Sequence, residues 1–113
     1  MRTLLSIVLL WPALAAQAQG PYPSKPVRVV IPASVGGTND VVTRAVAEKL
    51  SQQLGQSFVV DNRHGASQII GTEVVARAEP DGYTLLSTNM VHVIGASAYA
   101  RLPYHPLSDF ATI

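Results

Sequence analysis

A pair of glycines followed by helix-capping residues is the clearest candidate for binding chemistry in this sequence. The segment Gly36-Gly37-Thr38-Asn39-Asp40 directly precedes an apolar pattern of helical period. Such a turn leaves backbone N–H groups unpaired at the positive end of a helix dipole, so Gly36, Gly37 and Thr38 suit the binding of an anion. A tight strand-to-helix turn without a ligand is the simpler interpretation from these residues alone. Asp40 fits a capping role better than a catalytic one because acidic residues stabilise the first helical turn.

Two later polar segments could add hydrogen-bond donors to the same ligand. In the first, Ser67 can donate through its hydroxyl, and Gly65 and Ala66 through their backbone N–H groups. Asn62 is expected to brace that loop with its side chain. In the second segment, Thr88 follows a short apolar run. Ordinary loop capping explains these residues equally well, so both interpretations stay open at this point.

Other kinds of site lack the residues they need. The three histidines, His64, His92 and His105, are scattered and have no carboxylate at ligand spacing, so no metal site is predicted. No serine lies in the Gly-x-Ser-x-Gly setting of a hydrolase nucleophile, and there is no cysteine for a thiol enzyme or a disulfide. We therefore expect neither catalysis nor a cofactor.

Alternating apolar runs and helical patterns predict the order β-α-β-α-β. Strands are expected at 27–31, 57–60 and 83–87, and helices from Thr38 or Asn39 to the Gly55 stop and over 68–78. A short helix is expected within 89–100. The first helix is predicted to bury one apolar stripe, made of Val42, Ala45, Val46, Leu50 and Leu54. The second is predicted to bury Ile70, Val74, Val75 and Ala78.

This order predicts an α/β fold with a parallel sheet and right-handed crossovers. Ligands of such sheets bind at the carboxyl ends of the strands. The loops 33–39, 61–67 and 87–92 therefore form the candidate site.

The amino terminus has the three parts of a secretory signal peptide. A basic Arg2 precedes an apolar run at 4–11, and small residues end in Ala16-Gln17-Ala18, so cleavage is expected after Ala18 and export to the periplasm follows. The apolar run is shorter than the roughly 20 residues that span a bilayer. Loss of Arg2 would leave seven basic and seven acidic residues, which argues against a nucleic-acid partner or an anionic membrane surface.

Five segments together carry a family resemblance. In chain order they are Tyr22-Pro23-Ser24-Lys25-Pro26, Gly36-Gly37-Thr38-Asn39-Asp40, Asn62-Arg63 with Gly65-Ala66 and Gly71, Pro80-Asp81-Gly82-Tyr83-Thr84-Leu85, and Leu102-Pro103-Tyr104-His105-Pro106 with Asp109-Phe110. In this order and spacing the sequence resembles the Bug-type extracytoplasmic solute-binding receptors of tripartite tricarboxylate transporters. The resemblance covers almost all of residues 19–113.

The resemblance implies a periplasmic-binding-protein-like fold of two α/β lobes that close on a small organic carboxylate. Family proteins are much longer than this chain, so 19–113 is expected to be the N-terminal portion of the first lobe, a truncated form. The implied partners are the carboxylate and, in a full-length protein, membrane transporter subunits, with the receptor itself a monomer. The resemblance also favours ligand binding, rather than a plain turn, for the glycine pair.

Three positions depart from the family pattern. Val35 and His64 stand where prolines are usual, and Ser67-Gln68 replaces a glycine pair. These changes put the approach of the second loop to a ligand in doubt.

Two rival hypotheses remain. One is a phosphate- or nucleotide-binding α/β enzyme domain, although the Gly-x-Gly-x-x-Gly spacing and the Walker lysine are missing. The other is a truncated product with no binding function.

Overall fold

The computed structural model describes residues 20–113, which form a three-stranded parallel sheet with three α-helices. The predicted α/β class and the β-α-β-α-β order are confirmed. The signal peptide predicted for residues 1–18 lies outside the described residues. In chain order the elements are β1 (Val27–Ile31), α1 (Thr38–Leu54), β2 (Phe58–Asn62), a 3-10 turn (Ala66–Gln68), α2 (Ile69–Ala76), β3 (Thr84–Leu86) and α3 (Met90–Ala98).

The strand β1 lies in the centre of the sheet, in the order β2-β1-β3. Its β-branched residues suit this place, and all but Arg28 are buried. The chain moves one way across the sheet from β1 to β2 and the other way from β2 to β3, so right-handed crossovers place α1 and α2 on opposite faces. On the α1 face, a small core joins Val27, Val29, Ala47 and Phe58.

The buried face of α1 differs from the predicted apolar stripe. Val42, Val46 and Leu54 are 56%, 52% and 45% exposed, and Ala45 is exposed too, so of the predicted stripe only Leu50 lies partly buried against the core. The residues that α1 does bury are Asp40, Thr43 and Ala47. Two of these are polar because the ends of β2 and β3 present polar partners to this face of the helix.

The second and third helices also correct the sequence predictions. The helix α2 is shorter than expected and buries Gly71 and Thr72, whereas Ile70 is 50% exposed. The expected helix after β3 is present, and the Asn89 side chain caps it by accepting the Val91 N–H at 3.0 Å, although no cap was predicted there. Within residues 20–113, no helix combines the length and the apolar character that crossing a membrane requires.

Candidate functional site

Three loops meet at the carboxyl edge of the sheet. Ile31 pairs with Asn62, and Val30 pairs with Leu86, so the three strands end side by side. We define loop 1 as residues 32–37, loop 2 as 63–68 and loop 3 as 87–89. From β1 the chain crosses to β2 on one side, and from β2 it crosses back to β3 on the other side of β1. The carboxyl edge between β1 and β3 is therefore the switch point at which doubly wound sheets bind ligands.

Loop 1 leads into the N-terminus of α1. Gly36 has a φ of 88° in the left-handed region, and Gly37 is the N-cap residue with an ordinary φ of −71°. Positive φ is therefore required at Gly36 and not at Gly37. The first intrahelical bond runs from the Val41 N–H to the Gly37 carbonyl at 3.0 Å. Because the N-cap residue is a glycine, it has no side chain that could cap the first N–H groups of α1. The exposed N–H groups of Gly37 and Thr38 precede that bond.

The Asp40 carboxylate holds loop 1 from within the protein. Asp40 is only 3% exposed, and its Oδ2 accepts the Gly36 N–H at 2.9 Å. Arg44 Nε and Asn62 Nδ2 donate to its Oδ1 at 3.0 and 2.9 Å. The Gly36 N–H above all, and then Arg44 and Asn62, lower the pKa of Asp40 from 3.8 to about 2. This agrees with a capping role, and it leaves Gly37 and Thr38 as the first N–H groups that an anion would meet.

The Asn62 side chain connects β2 to loop 1 and α1. Its Nδ2 donates to the Ala33 carbonyl at 3.2 Å and to Asp40, while its Oδ1 accepts from Arg44 Nη2 at 2.7 Å. Asn62 was expected to brace the loop that contains Ser67, but its side chain bonds to loop 1 and α1 instead, because it points to the α1 face of the sheet. Because Asn62 provides a polar partner there, the buried face of α1 can hold the polar residue Asp40.

Loop 2 has an unusual backbone. After Gly65, with φ of 131°, the residues Ala66, Ser67 and Gln68 take φ values of 45°, 52° and 75°. Non-glycine residues rarely adopt these values because Cβ approaches the backbone carbonyl oxygen. Ala66 and Ser67 are exposed at the edge, as a ligand contact requires, whereas Gly65 is half-buried.

Loop 3 is tied to both α1 and loop 2. The Ser87 hydroxyl lies 2.6 Å from the Thr43 hydroxyl, and Asn39 Nδ2 donates to the Ser87 carbonyl at 3.0 Å. Thr88 Oγ1 donates to Gln68 Oε1 at 3.3 Å. The structure therefore brings the predicted loops together. Gln68 was not predicted to connect these loops; its place in a glycine position of the family pattern was the available signal.

The arginines around the edge are already paired. Arg44 is bound to Asp40 and Asn62, and Arg63 Nε lies 3.1 Å from Asp61, on the other face of β2. Burial raises the pKa of Asp61, but hydrogen bonds and charges from Arg28 and Arg63 outweigh it, so its pKa is lowered overall. Within the described part of the chain, no group of three His, Cys, Asp or Glu side chains could hold a metal ion. Each of the two arginines is thus paired with a carboxylate, whereas the N–H groups of Gly37 and Thr38 and the Ser67 hydroxyl are neutral donors.

A buried glycine of α2 brings loops 1 and 2 into contact. A Cβ atom at Gly71 would lie 2.5 Å from the Arg63 carbonyl oxygen and 2.7 Å from Pro32 Cβ. The helix can approach the two loops this closely only because no side chain stands there. Gly71 therefore fixes the distance between them.

Comparison with known proteins assigns the family. The family model described as the tripartite tricarboxylate transporter family receptor, TctC, matches residues 42–113. The chain belongs to this family. Among its relatives, the BugT protein of Bordetella pertussis is 36% identical over 119 residues, which cover 100% of this chain and 36% of that protein.

Solved structures of similar proteins support the assignment and the fold. A Rhodopseudomonas palustris protein, MatC, with bound malate is 32% identical with a TM-score of 0.72, and the match covers 79% of this chain and 31% of that one. An R. palustris protein with adipate is 40% identical with a TM-score of 0.70, covering 75% and 29%. This TctC-family chain thus spans about a third of the length of these relatives. Its sheet is that of a periplasmic binding protein, as the resemblance implied.

Proposed function

We propose that this chain is the N-terminal portion of an exported receptor that captures a small organic carboxylate and presents it to a tripartite tricarboxylate-type transporter. The protein binds and releases its ligand and carries out no reaction on it. Membership of the receptor family supports this function. Residues 19–113 would form part of the first of two lobes, and residues 1–18 would be the signal peptide that directs the chain to the periplasm.

The observation that carries the proposal is the position of the N-terminus of α1. It has no N-cap side chain, and it lies at the carboxyl edge of the sheet, where loops 2 and 3 also begin. An anion at this point meets the N–H groups of Gly37 and Thr38 and the positive end of the helix dipole. Asp40 and Asp61 offset the charges of Arg44 and Arg63, so in this proposal the ligand is held mainly by the neutral N–H and O–H groups of the loops. Such a site suits a carboxylate, which needs several oriented N–H and O–H groups.

Loops 2 and 3 supply the remaining contacts in this proposal. The Ser67 hydroxyl and the N–H groups of Gly65 and Ala66 face the ligand from one side. Thr88 faces it from the other, where its hydroxyl would exchange the bond to Gln68 for one to the ligand. The two similar structures contain malate and adipate, which both carry two carboxylates. In a full-length receptor, the second lobe would close over the ligand and cover the side that these loops leave open.

Calorimetric titration of a two-lobed receptor that carries this chain as its N-terminal portion tests the proposal, because one lobe alone would leave half of the ligand in water. Adipate and malate should bind, whereas 1,6-hexanediol, which has a chain of similar length without charge, and ADP, the ligand class of the rival enzyme hypothesis, should not. Failure of both dicarboxylates to bind would overturn the proposed function for this chain. Binding of ADP alone would favour the nucleotide hypothesis.

A pair of valine substitutions locates the site. Gly37→Val should weaken adipate binding about tenfold or more because its side chain covers the N–H groups at the start of α1. It should lower the melting temperature only moderately. Valine is a poorer N-cap residue than glycine, but φ is ordinary there and the nearest atom to a new Cβ is the Ser34 carbonyl oxygen at 3.7 Å. Ser57→Val adds similar bulk just before β2, at the opposite edge of the sheet, and should not affect binding. Equal affinities in both variants would show that the start of α1 does not bind the ligand.

A further inference from the structure

The backbone of Asn62 is held by the sheet, independently of the contacts of its side chain. It is the last residue of β2 and pairs with Ile31 of the central strand. The next N–H, from Arg63, donates to the Ile31 carbonyl at 2.8 Å. The Asn62 carboxamide therefore starts from a rigid backbone and points to the α1 face.

The carboxamide uses both of its ends. Nδ2 donates to the Ala33 carbonyl at 3.2 Å and to Asp40 Oδ1 at 2.9 Å, and Oδ1 accepts from Arg44 at 2.7 Å. Only an amide has two donors and an acceptor on one short side chain. An aspartate in this place would lose both donated bonds and would set a second negative charge beside Asp40.

Through these bonds the Asn62 side chain holds loop 1 at two residues. It binds Ala33 directly, and it binds Gly36 through Asp40, because the second oxygen of that carboxylate accepts the Gly36 N–H at 2.9 Å. Gly36 has a φ of 88°, a conformation that glycine can also leave at little cost. Held at both ends, the turn presents the N–H groups of Gly37 and Thr38 in one orientation.

We propose that Asn62 is a positioning residue of the carboxylate site, which holds loop 1 in its binding form through Ala33 and Asp40 without touching the ligand. This inference rests on the proposed function, since it names the residue that prepares the site for the carboxylate. Preorganised donors bind more tightly because less ordering remains to be done when the ligand arrives.

The test combines an NMR measurement without ligand and a titration with adipate. In Asn62→Asp, hydrogen exchange of the Gly36 amide should accelerate, and adipate affinity should fall, each about tenfold or more. The matched control is Gln53→Glu, the same change from an amide to a carboxylate on the exposed side of α1, away from the Asn62 contacts. It should leave both the Gly36 exchange and the affinity unchanged. If Asn62→Asp does not fold, Asn62→Ser replaces it, since serine removes the bonds to Arg44 and Asp40 without adding charge.

A double variant separates positioning from a general loss of structure. Asp40→Asn combined with Asn62→Asp restores one carboxylate and one amide in exchanged places, so it should recover part of the Gly36 protection and part of the affinity. Lost affinity with unchanged Gly36 exchange would overturn the proposal, because Asn62 would then contact the ligand itself. Faster exchange with unchanged affinity would overturn it too. If the unsubstituted protein binds no adipate, the proposed function fails. The Gly36 amide exchange in Asn62→Asp would still show whether Asn62 holds loop 1 in place.

Discussion

Loops 1 and 2 leave neighbouring parallel strands at one edge, yet they meet their backbone requirements differently. Loop 1 needs a positive φ at one residue, and that residue is Gly36. Loop 2 needs positive φ at four successive positions, of which only the first, Gly65, is a glycine. Each of the three others, Ala66, Ser67 and Gln68, costs about 1–2 kcal/mol in this conformation.

The two loops are also held by different partners. A buried carboxylate, an amide and a guanidinium hold loop 1, with hydrogen bonds of 2.7–3.2 Å. Loop 2 connects to loop 3 through the neutral side chain of Gln68, whose contacts with Thr88 and Asn89 measure 3.3 and 3.4 Å. Loop 1 is therefore suited to its conformation and firmly bound, while loop 2 is strained and weakly bound. Strain of this kind is concentrated at binding sites, which agrees with the place of loop 2 in the candidate site.

The largest expected effect comes from a change that disturbs both loops at once. Gly71→Ala would place a Cβ atom 2.5 Å from the Arg63 carbonyl oxygen and 2.7 Å from Pro32. Backbone atoms cannot rotate away, so we expect a loss of about 1–3 kcal/mol in the free energy of unfolding. Urea denaturation measures it. Gly95→Ala is the matched control: the nearest atom is Tyr99 Cδ2 at 3.9 Å, so alanine should stabilise α3 by about 0.5–1 kcal/mol. Equal effects from the two substitutions would contradict the close packing at Gly71.

A smaller effect, of opposite sign, is expected in loop 2. Ser67→Gly and Gln68→Gly each remove about 1–2 kcal/mol of strain, but each adds entropy to the unfolded chain. The balance predicts a gain of up to about 1 kcal/mol for each variant. Thermal unfolding of the single and double variants measures it.

The control for this prediction is a glycine in a place without strain. Gln53→Gly lies on the exposed side of α1 and should cost about 0.5–1 kcal/mol. If Gln68→Gly lowered the free energy of unfolding as much as Gln53→Gly does, loop 2 would not be strained.

Much of the fold could be predicted because its signals are local. The β-branched run at 27–31 gives the central strand, and the start of α1 at Thr38 and its end before Gly55, which takes a φ of 72°, follow from glycines and capping residues. The loops of the candidate site then follow from the rule that parallel strands end at one edge.

Other features depend on contacts between distant residues and could not be predicted. The buried side of α1 is polar because Thr43 meets Ser87 and Asp40 meets Asn62, so its apolar pattern pointed to the wrong face. The backbone of loop 2 was hidden for another reason: Ala66, Ser67 and Gln68 are residues that normally avoid positive φ.

The smallest expected effect is a loss of stability in acid, which should weaken loop 1 and not loop 2. At neutral pH no such loss is expected. The pKa of Asp40 is about 2 in the folded chain and near 3.8 when exposed, so the folded form binds the proton less readily. A carboxylate with a lowered pKa contributes stability that is complete above pH 3.8 and is lost as the pH falls through about 2. The grip on loop 1 should therefore weaken only between about pH 4 and pH 2.

Amide chemical shifts followed over this range test the difference. The Gly36 N–H donates to Asp40, so its shift should titrate with a midpoint near pH 2, whereas the Ser67 N–H of loop 2 should not follow that titration. Asp40→Asn should abolish the change at Gly36, and the gap between its melting temperature and that of the unsubstituted chain should narrow as the pH falls. Because the carboxylate acts on loop 1 alone, a common midpoint for Gly36 and Ser67 would mean that acid opens the whole edge together and that the two loops are not held independently.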